Sequence, residues 1–325
     1  MVVSVSRQDI SDAQARLDGY AVKTPLLRFP VLDEAVGGTM LVKPECLQRT
    51  GSFKFRGAFN RLSMIPVAQR KHGVVACSSG NHAQGVAEAA RLLGMKATIV
   101  MPADAPTIKL QRTRDFGAEV ITYDRVSEDR EAIAAAICDK SGATFVHPFD
   151  DPGVIAGQGT VGAEIAAQSA ALGLVPDTVL VCTGGGGLSS GVAVALEHDL
   201  PDCGFRTVEP SGFDDYARSL KAEERVGNPS TAGSVCDALL TERPGAIGFE
   251  ILKRRAGDGL VVTDDEALAA VAFAHLELKL VVEPGGAVAL AAILSGKFDA
   301  KGKVVCVVLT GGNIDPHMLH SALTR

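Results

Sequence analysis

No net basic charge, no C-x-x-C pair, no apolar run of membrane-spanning length and no internal repeat occurs in these 325 residues. Each absence excludes something. A formal net charge of −6 offers no general attraction for nucleic acid or an anionic membrane. The seven cysteines (Cys46, Cys77, Cys138, Cys182, Cys203, Cys236 and Cys306) are odd in number and scattered, so neither a disulfide framework nor a zinc site is expected. Those in apolar runs, such as Val305-Cys306-Val307, read as small buried hydrophobes. The stretch Met1 to Asp9 carries no signal-peptide pattern, and a cytoplasmic location is expected. The length leaves no amino-acid-sensing module expected after Arg325. With 46% hydrophobic and 22% charged residues, long disordered tracts are not expected, and the length suits two lobes or one large α/β domain.

What is present is a rhythm of short β-branched runs alternating with Ala-rich amphipathic stretches, the pattern of parallel strands joined by helices. Strands are expected over Gly73 to Cys77, Lys96 to Met101, Glu119 to Tyr123 and Ala143 to Val146. Between them lie helices His82 to Leu93, Lys109 to Phe116 and Ser127 to Lys140. A second series comprises helix Gly157 to Gln168, strand Thr178 to Cys182, helix Leu188 to Leu196, and strands Gly204 to Val208 and Lys303 to Leu309. Between Gly212 and Gly248 the periodicity weakens, and Gly, Pro and polar residues accumulate.

Four loops carry the chemistry. Strand Thr178 to Cys182 runs through Thr183 into Gly184-Gly185-Gly186-Gly187 and straight into a helix, which lets backbone amides and the helix N-terminus cradle a phosphate. Gly185-x-Gly187, with Glu209 ending the next strand, also admits a dinucleotide reading in which Glu209 meets a ribose, although the third glycine is displaced to Gly191. Ser52-Phe53-Lys54-Phe55-Arg56 places a lysine between aromatics and near an arginine. Desolvation and like-charge repulsion would both favour its neutral amine, as Schiff-base chemistry requires. Ser78-Ser79-Gly80-Asn81-His82, at a strand-to-helix junction, can hold a carboxylate on amides and hydroxyls; either serine would otherwise be an ordinary helix cap. Thr310-Gly311-Gly312-Asn313 closes the final strand. A lysine, a phosphate cradle and polar glycine-rich loops together point to an aldehyde cofactor bearing a phosphate.

These motifs, with His147-Pro148-Phe149-Asp150-Asp151, Val154 to Thr160 and Glu283-Pro284, make the chain resemble the fold type II pyridoxal-phosphate enzymes over essentially its whole length, specifically the serine/threonine dehydratase and serine racemase family. The resemblance implies a two-lobed α/β fold, each lobe an open, mostly parallel sheet flanked by helices. Residues 74–146 would form the small lobe, and 1–73 with 147–325 the large one. Lys54 would carry pyridoxal 5'-phosphate covalently and Phe53 would pack on its ring. Asn81 would bond the phenolic oxygen, Gly184 to Gly187 would bind the phosphate, and Glu283 would belong to the cofactor site. Ser78, Ser79, Gly80, Asn81 and His82 would surround the substrate carboxylate. Thr310 would face the pyridine nitrogen, where relatives commonly have Ser or Cys. A homodimer is also implied.

Val208 to Asp215 resembles the divalent-cation loop of the same family, with carboxylates from Glu209 and Asp215 and the Phe213 carbonyl as ligands for Mg²⁺, or for Ca²⁺ or Mn²⁺. The implied activity is loss of the β-hydroxyl and amine from a small hydroxy-amino acid, L-threonine or L-serine first, with Lys54 taking the α-proton. Ser79, on the opposite face, makes serine racemisation conceivable. A 3-hydroxyaspartate substrate would need a further cation, for which Arg130 is the candidate. An NAD(P)-dependent oxidoreductase and a non-catalytic ligand-binding protein are the readings from other classes.

Overall fold

Among the described residues, ten strands build two sheets. The computed structural model describes residues 4–105, 107–124, 126–230 and 232–325; Met1 to Val3 of the N-terminal stretch read above lie outside them. The strands are β1 (Leu27–Arg28), β2 (Thr39–Pro44), β3 (Val74–Cys77), β4 (Ala97–Pro102), β5 (Glu119–Tyr123), β6 (Thr144–Phe145), β7 (Thr178–Cys182), β8 (Gly204–Pro210), β9 (Leu260–Val262) and β10 (Val304–Leu309). The larger sheet has the order β1-β2-β10-β7-β8-β9 and the smaller β5-β4-β3-β6. Every pairing is parallel except β1 with β2.

Parallel sheets need cover on both faces, and the core shows it. On one face of the larger sheet Met40, Val42, Leu180, Val305, Val307 and Leu309 pack under the helices Asp264–Leu276 and Pro284–Leu294. On the other, the alternate residues Leu41, Val179, Val181, Cys306 and Val308 meet the helices Arg7–Leu17, Pro152–Leu172 and Gly187–Asp199. The smaller sheet buries Val74, Ala76, Ile99 and Met101 against the helices Lys54–Ser63 and Asn81–Leu92. Its other face sets Val75 and Val100 on Ala134 of the helix Arg130–Ser141.

The helix Pro152–Leu172 joins the functional parts. A Cβ at Gly157 would stand 2.6 Å from the Arg56 carbonyl, and one at Gly191 would stand 2.4 Å from the Ile155 carbonyl. Its backbone therefore touches both the lysine-bearing helix and the helix that follows the glycine loop.

Behind that contact lies a cluster of four charges. Arg56, 1% exposed, forks onto Glu45 (Nε to Oε2 2.7 Å, Nη2 to Oε1 2.8 Å) and onto Glu164 (Nη1 to Oε1 2.7 Å, Nη2 to Oε2 2.9 Å). Lys43 donates to Glu164 Oε2 at 2.6 Å, the Thr24 carbonyl at 2.7 Å and Gln168 at 2.9 Å. Thr24 donates to Glu45 Oε1 at 2.6 Å. Two cations thus face two carboxylates, and the hydrogen bonds to charged groups offset the cost of taking them from water. Although burial pushes the Glu45 carboxyl up, Arg56 and Lys43 hold it below the usual carboxylate range.

The expected elements are present with small shifts at their ends, and β5 and β7 coincide with the expected ranges. The long helix extends to both sides of the expected Gly157 to Gln168. Between Gly212 and Gly248 the chain forms a helix at Asp215–Ala222 and a 3₁₀ turn at Asp237–Leu239. Strand β2 was not anticipated, because Lys43 interrupts its apolar run.

Replacing Arg56 with Met removes the shared cation and leaves two carboxylates facing one lysine. This should cost about 3–5 kcal/mol, measured as a lowered urea midpoint with an unchanged slope.

Candidate active site

The loops at the carboxyl ends of β3, β7, β8 and β10 converge with the start of the lysine helix, where open α/β sheets place ligands. The main chain fixes the lysine. Ser52 bridges Gly311, and Phe53 N donates to the Thr310 carbonyl at 3.1 Å, so the residues just before Lys54 are tied to the end of β10. Lys54 Nζ donates to the Pro148 carbonyl at 2.8 Å and lies 5.3 Å from the Phe53 ring centre. Burial lowers its amine to about 8.

Gly80 is the N-cap of the helix Asn81–Leu92 and leaves its first-turn amides without a side-chain cap. Ser78 Oγ accepts from Gly80 N at 3.2 Å and does not cap the helix. Asn81 Nδ2 donates to Glu283 Oε1 at 2.5 Å, while Asn81 Oδ1 accepts from Asn313 at 2.7 Å; Asn313 also donates to the Thr50 carbonyl at 2.8 Å. Burial and the charge of Asp237 push the Glu283 carboxyl up to about 7. Thr310 is buried, its amide donating to the Gly286 carbonyl at 3.2 Å.

The glycine loop is packed tightly. A Cβ at Gly185 would stand 2.3 Å from the Phe149 ring, and one at Gly186, where φ is +90°, would stand 1.9 Å from the Tyr216 hydroxyl. That hydroxyl donates to the Gly185 carbonyl at 3.2 Å. Gly186 is also the N-cap of Gly187–Asp199 and provides no side-chain capping bond, which leaves amides for an anion.

Glu209 and Asp215 come together at the end of β8. Glu209 is fully buried and accepts from Tyr216 N at 2.8 Å and Ala217 N at 2.7 Å. Asp215 Oδ1 accepts from Asn228 at 2.7 Å, and its buried Oδ2 has no partner among the described residues. Burial is the first cause raising both carboxyls, Glu209 well above its ordinary range and Asp215 to about 6. Among the described residues no group of three or more His, Cys, Asp or Glu side chains is placed to hold a metal. The expected ligand set has only two carboxylates, its third member being the Phe213 carbonyl.

Residues 17–311 match the family model described as pyridoxal-phosphate dependent enzyme. The chain belongs to that family. It is 44% identical over 310 residues to an L-threo-3-hydroxyaspartate ammonia-lyase of Pseudomonas sp, covering 95% of this chain and 96% of that one. With a serine racemase of Schizosaccharomyces pombe it shares 39% over 307 residues, covering 94% of each. A threonine deaminase crystal structure from T.th. superposes with a TM-score of 0.90 at 40% identity, covering 95% of this chain and 99% of that one.

The residues of this pyridoxal-phosphate dependent enzyme fit its cofactor: a half-buried lysine with a depressed pKa stands near a glycine loop with uncapped amides. Two expectations need correction. Arg56 does not depress Lys54 by repulsion, because its charge is matched by Glu45 and Glu164 and burial alone acts on the lysine. Glu209 lies in the core with each oxygen accepting a backbone amide, and the family assignment replaces the oxidoreductase reading in which it meets a ribose.

Sequence reasoning missed Tyr216 and named Asn313 without a role; both act through contacts distant in sequence. It also read Asp150 and Asp151 without a role. Asp150 accepts from Ala246 N and Ile247 N, each at 2.9 Å, and Asp151 caps the helix Pro152–Leu172.

Gly186→Ala meets both a left-handed backbone and the Tyr216 hydroxyl and should cost about 2–4 kcal/mol. In thermal unfolding, adding Tyr216→Phe should recover part of the loss, because it removes the contact but not the backbone strain.

Proposed function

We propose that this pyridoxal-phosphate dependent enzyme is an ammonia-lyase that removes the β-hydroxyl and amine of a hydroxy-amino acid, foremost L-threonine or L-serine, giving a 2-oxo acid and ammonia. The observation that carries this reading is the Lys54 amine, lowered to about 8 by burial and set near an uncapped helix start. When bound, the cofactor supplies an aldehyde that links to amines and a ring that withdraws electrons from the α-carbon. Lys54 Nζ takes the α-proton as general base. First-turn amides of Asn81–Leu92, with Ser78, Ser79, Gly80 and His82 around them, hold the substrate carboxylate. Asn81, held by Glu283 and Asn313, would meet the phenolic oxygen; Phe53 would pack on the ring and the amides of Gly184 to Gly187 would take the phosphate. Thr310 would offer the pyridine nitrogen a neutral hydroxyl, a partner that suits elimination of the β-hydroxyl better than return of a proton to the α-carbon. Ser79, opposite Lys54, permits serine racemisation as a minor activity.

A specific observation favours 3-hydroxyaspartate as a second reading. Cys77, immediately before Ser78, donates from Sγ to the Arg130 carbonyl at 3.3 Å, and the Arg130 charge acts on the thiol. Arg130 is exposed, a cation beside the substrate loop for a second carboxylate. In this reading residues 74–146 form the small lobe and close over the substrate on the large lobe, 1–73 with 147–325.

Glu209, the Phe213 carbonyl and Asp215 would hold Mg²⁺, Ca²⁺ or Mn²⁺, and the fit rests on two buried, raised carboxyls and the unpartnered Asp215 Oδ2. The ion would neutralise the loop below Tyr216 and so support the glycine cradle. We read the protein as a cytoplasmic homodimer. Seven free cysteines support the compartment, and the exposed Tyr20, Val22 and Leu47, gathered around Gln48 and Arg49, support an interface. No described helix is long and apolar enough to cross a membrane.

Oxo-acid and ammonia release with L-threonine, L-serine and the 3-hydroxyaspartate isomers tests the reading. Lys54→Ala should lower kcat by about 10²–10⁴-fold, and wild-type kcat should rise with pH through about 8 as the amine loses its proton. Arg130→Ala should spare threonine and lower hydroxyaspartate turnover if the second reading holds. Lys54-independent turnover would overturn both.

Saturating Mg²⁺ should raise the melting midpoint by a few degrees relative to chelated protein. Asp215→Asn should abolish that increment.

A further inference from the structure

His82 is the second residue of the helix Asn81–Leu92 and is 3% exposed. Its Nε2 lies 3.0 Å from the Val146 carbonyl oxygen. A carbonyl can only accept, so Nε2 carries the proton. That leaves Nδ1 with a lone pair in the neutral ring, and this atom is buried without a partner among the described residues. An unsatisfied buried acceptor costs stability and is rare in native structures, so one near a reacting group calls for a donor.

The fold indicates which donor. Gly85 follows His82 by one helical turn on the same face, and a Cβ there would stand 3.1 Å from the Lys54 carbonyl carbon. The helix carrying His82 therefore crosses the lysine helix at Lys54 itself. Two titratable groups act on the ring, Lys54 and His147. His147 is held through Nδ1, which accepts from Phe149 N at 3.3 Å and Asp150 N at 2.8 Å and so leaves that ring's proton on Nε2. Of the two groups Lys54 is the one whose helix the His82 helix crosses, and among the described residues its amine donates to the Pro148 carbonyl, two residues beyond the carbonyl that fixes His82.

We propose that His82 is a positioning residue for Lys54: Val146 holds the neutral ring in one tautomer, and Nδ1 accepts a hydrogen bond from the lysine amine when that amine leaves Pro148. The inference rests on Lys54 acting as the base. It also separates two jobs at one position, because a lone pair cannot bind a carboxylate. The His82 backbone amide serves the substrate carboxylate, and the side chain serves the lysine. Burial and the Lys54 charge lower the ring to about 3, consistent with a ring that stays neutral through the working range.

Two substitutions separate the ring's two bonds. Asn places an oxygen near the position of Nδ1 but cannot reach Val146; Gln places an N–H near Nε2 but leaves no acceptor at Nδ1. An acceptor stabilises the lysine ammonium, so His82→Gln should move the ascending limb of kcat against pH down by roughly one unit. His82→Asn should restore the limb. Nitrogen-15 NMR of the histidine-labelled holoenzyme should show His82 neutral, protonated on Nε2 only, across the range in which free histidine titrates. An unmoved limb in His82→Gln, a shift that His82→Asn does not rescue, or a His82 ring protonated on Nδ1 would each overturn the proposal. The NMR result does not depend on turnover, whereas loss of the Lys54 reading itself would appear as activity surviving Lys54→Ala.

Discussion

Four charges, with Lys43, Glu45 and Arg56 buried and Glu164 12% exposed, hold the Lys54 helix in place. Arg56 sits two residues after Lys54 and is bound on both edges of its guanidinium, to Glu45 at the end of β2 and to Glu164 on the long helix. Lys43 shares Glu164 and ties in Thr24 from the N-terminal segment. An isolated buried ion would be costly, whereas a neutral set with nearly every lone pair and proton engaged is tolerated and sets a single arrangement of its elements. Strand, turn, lysine helix and long helix are thereby referred to one point. Apolar packing alone permits small slides that this geometry does not.

The cofactor side follows a different rule, close approach of backbone to backbone and of rings to glycines. Phe149 and Tyr216 occupy the space that side chains at Gly185 and Gly186 would need. Asp150, two residues after Pro148, caps the helix Ala246–Arg255. The His147 to Asp151 segment therefore packs the loop, positions a helix and receives the lysine amine through Pro148. Its polar residues are structural as much as chemical.

Much of this was legible in the residues. The two series of strands, the glycine loop after Cys182, the Ser78 to His82 junction and the desolvated setting of Lys54 follow from periodicity, turn chemistry and the order of motifs. The helix Pro284–Leu294 did not, because a helix buried all round loses its amphipathic period. Only the middle of Pro152–Leu172 was visible, since its glycines weaken the helical signal while serving close packing. The helix Asp264–Leu276 did carry a readable sign, the Thr263 to Glu266 capping box. The charge quartet left a fainter one, a lysine inside an apolar run. Its pairing depends on Glu164, 121 residues away from Lys43, and local patterns cannot supply that distance.

The bridge from Ser52 to Gly311, with the Phe53 amide on the Thr310 carbonyl, acts as a ruler. The spacing between the lysine and residue 310 is set by main-chain hydrogen bonds and is indifferent to which side chain stands at either place. With Thr310 in the role proposed above, its exchange for another small polar residue would alter acidity and hydrogen bonding there while the spacing to Lys54 stays the same. A scaffold of this kind lets electronic character vary at fixed geometry, and so allows closely similar chains to divide among different reactions without rebuilding the fold.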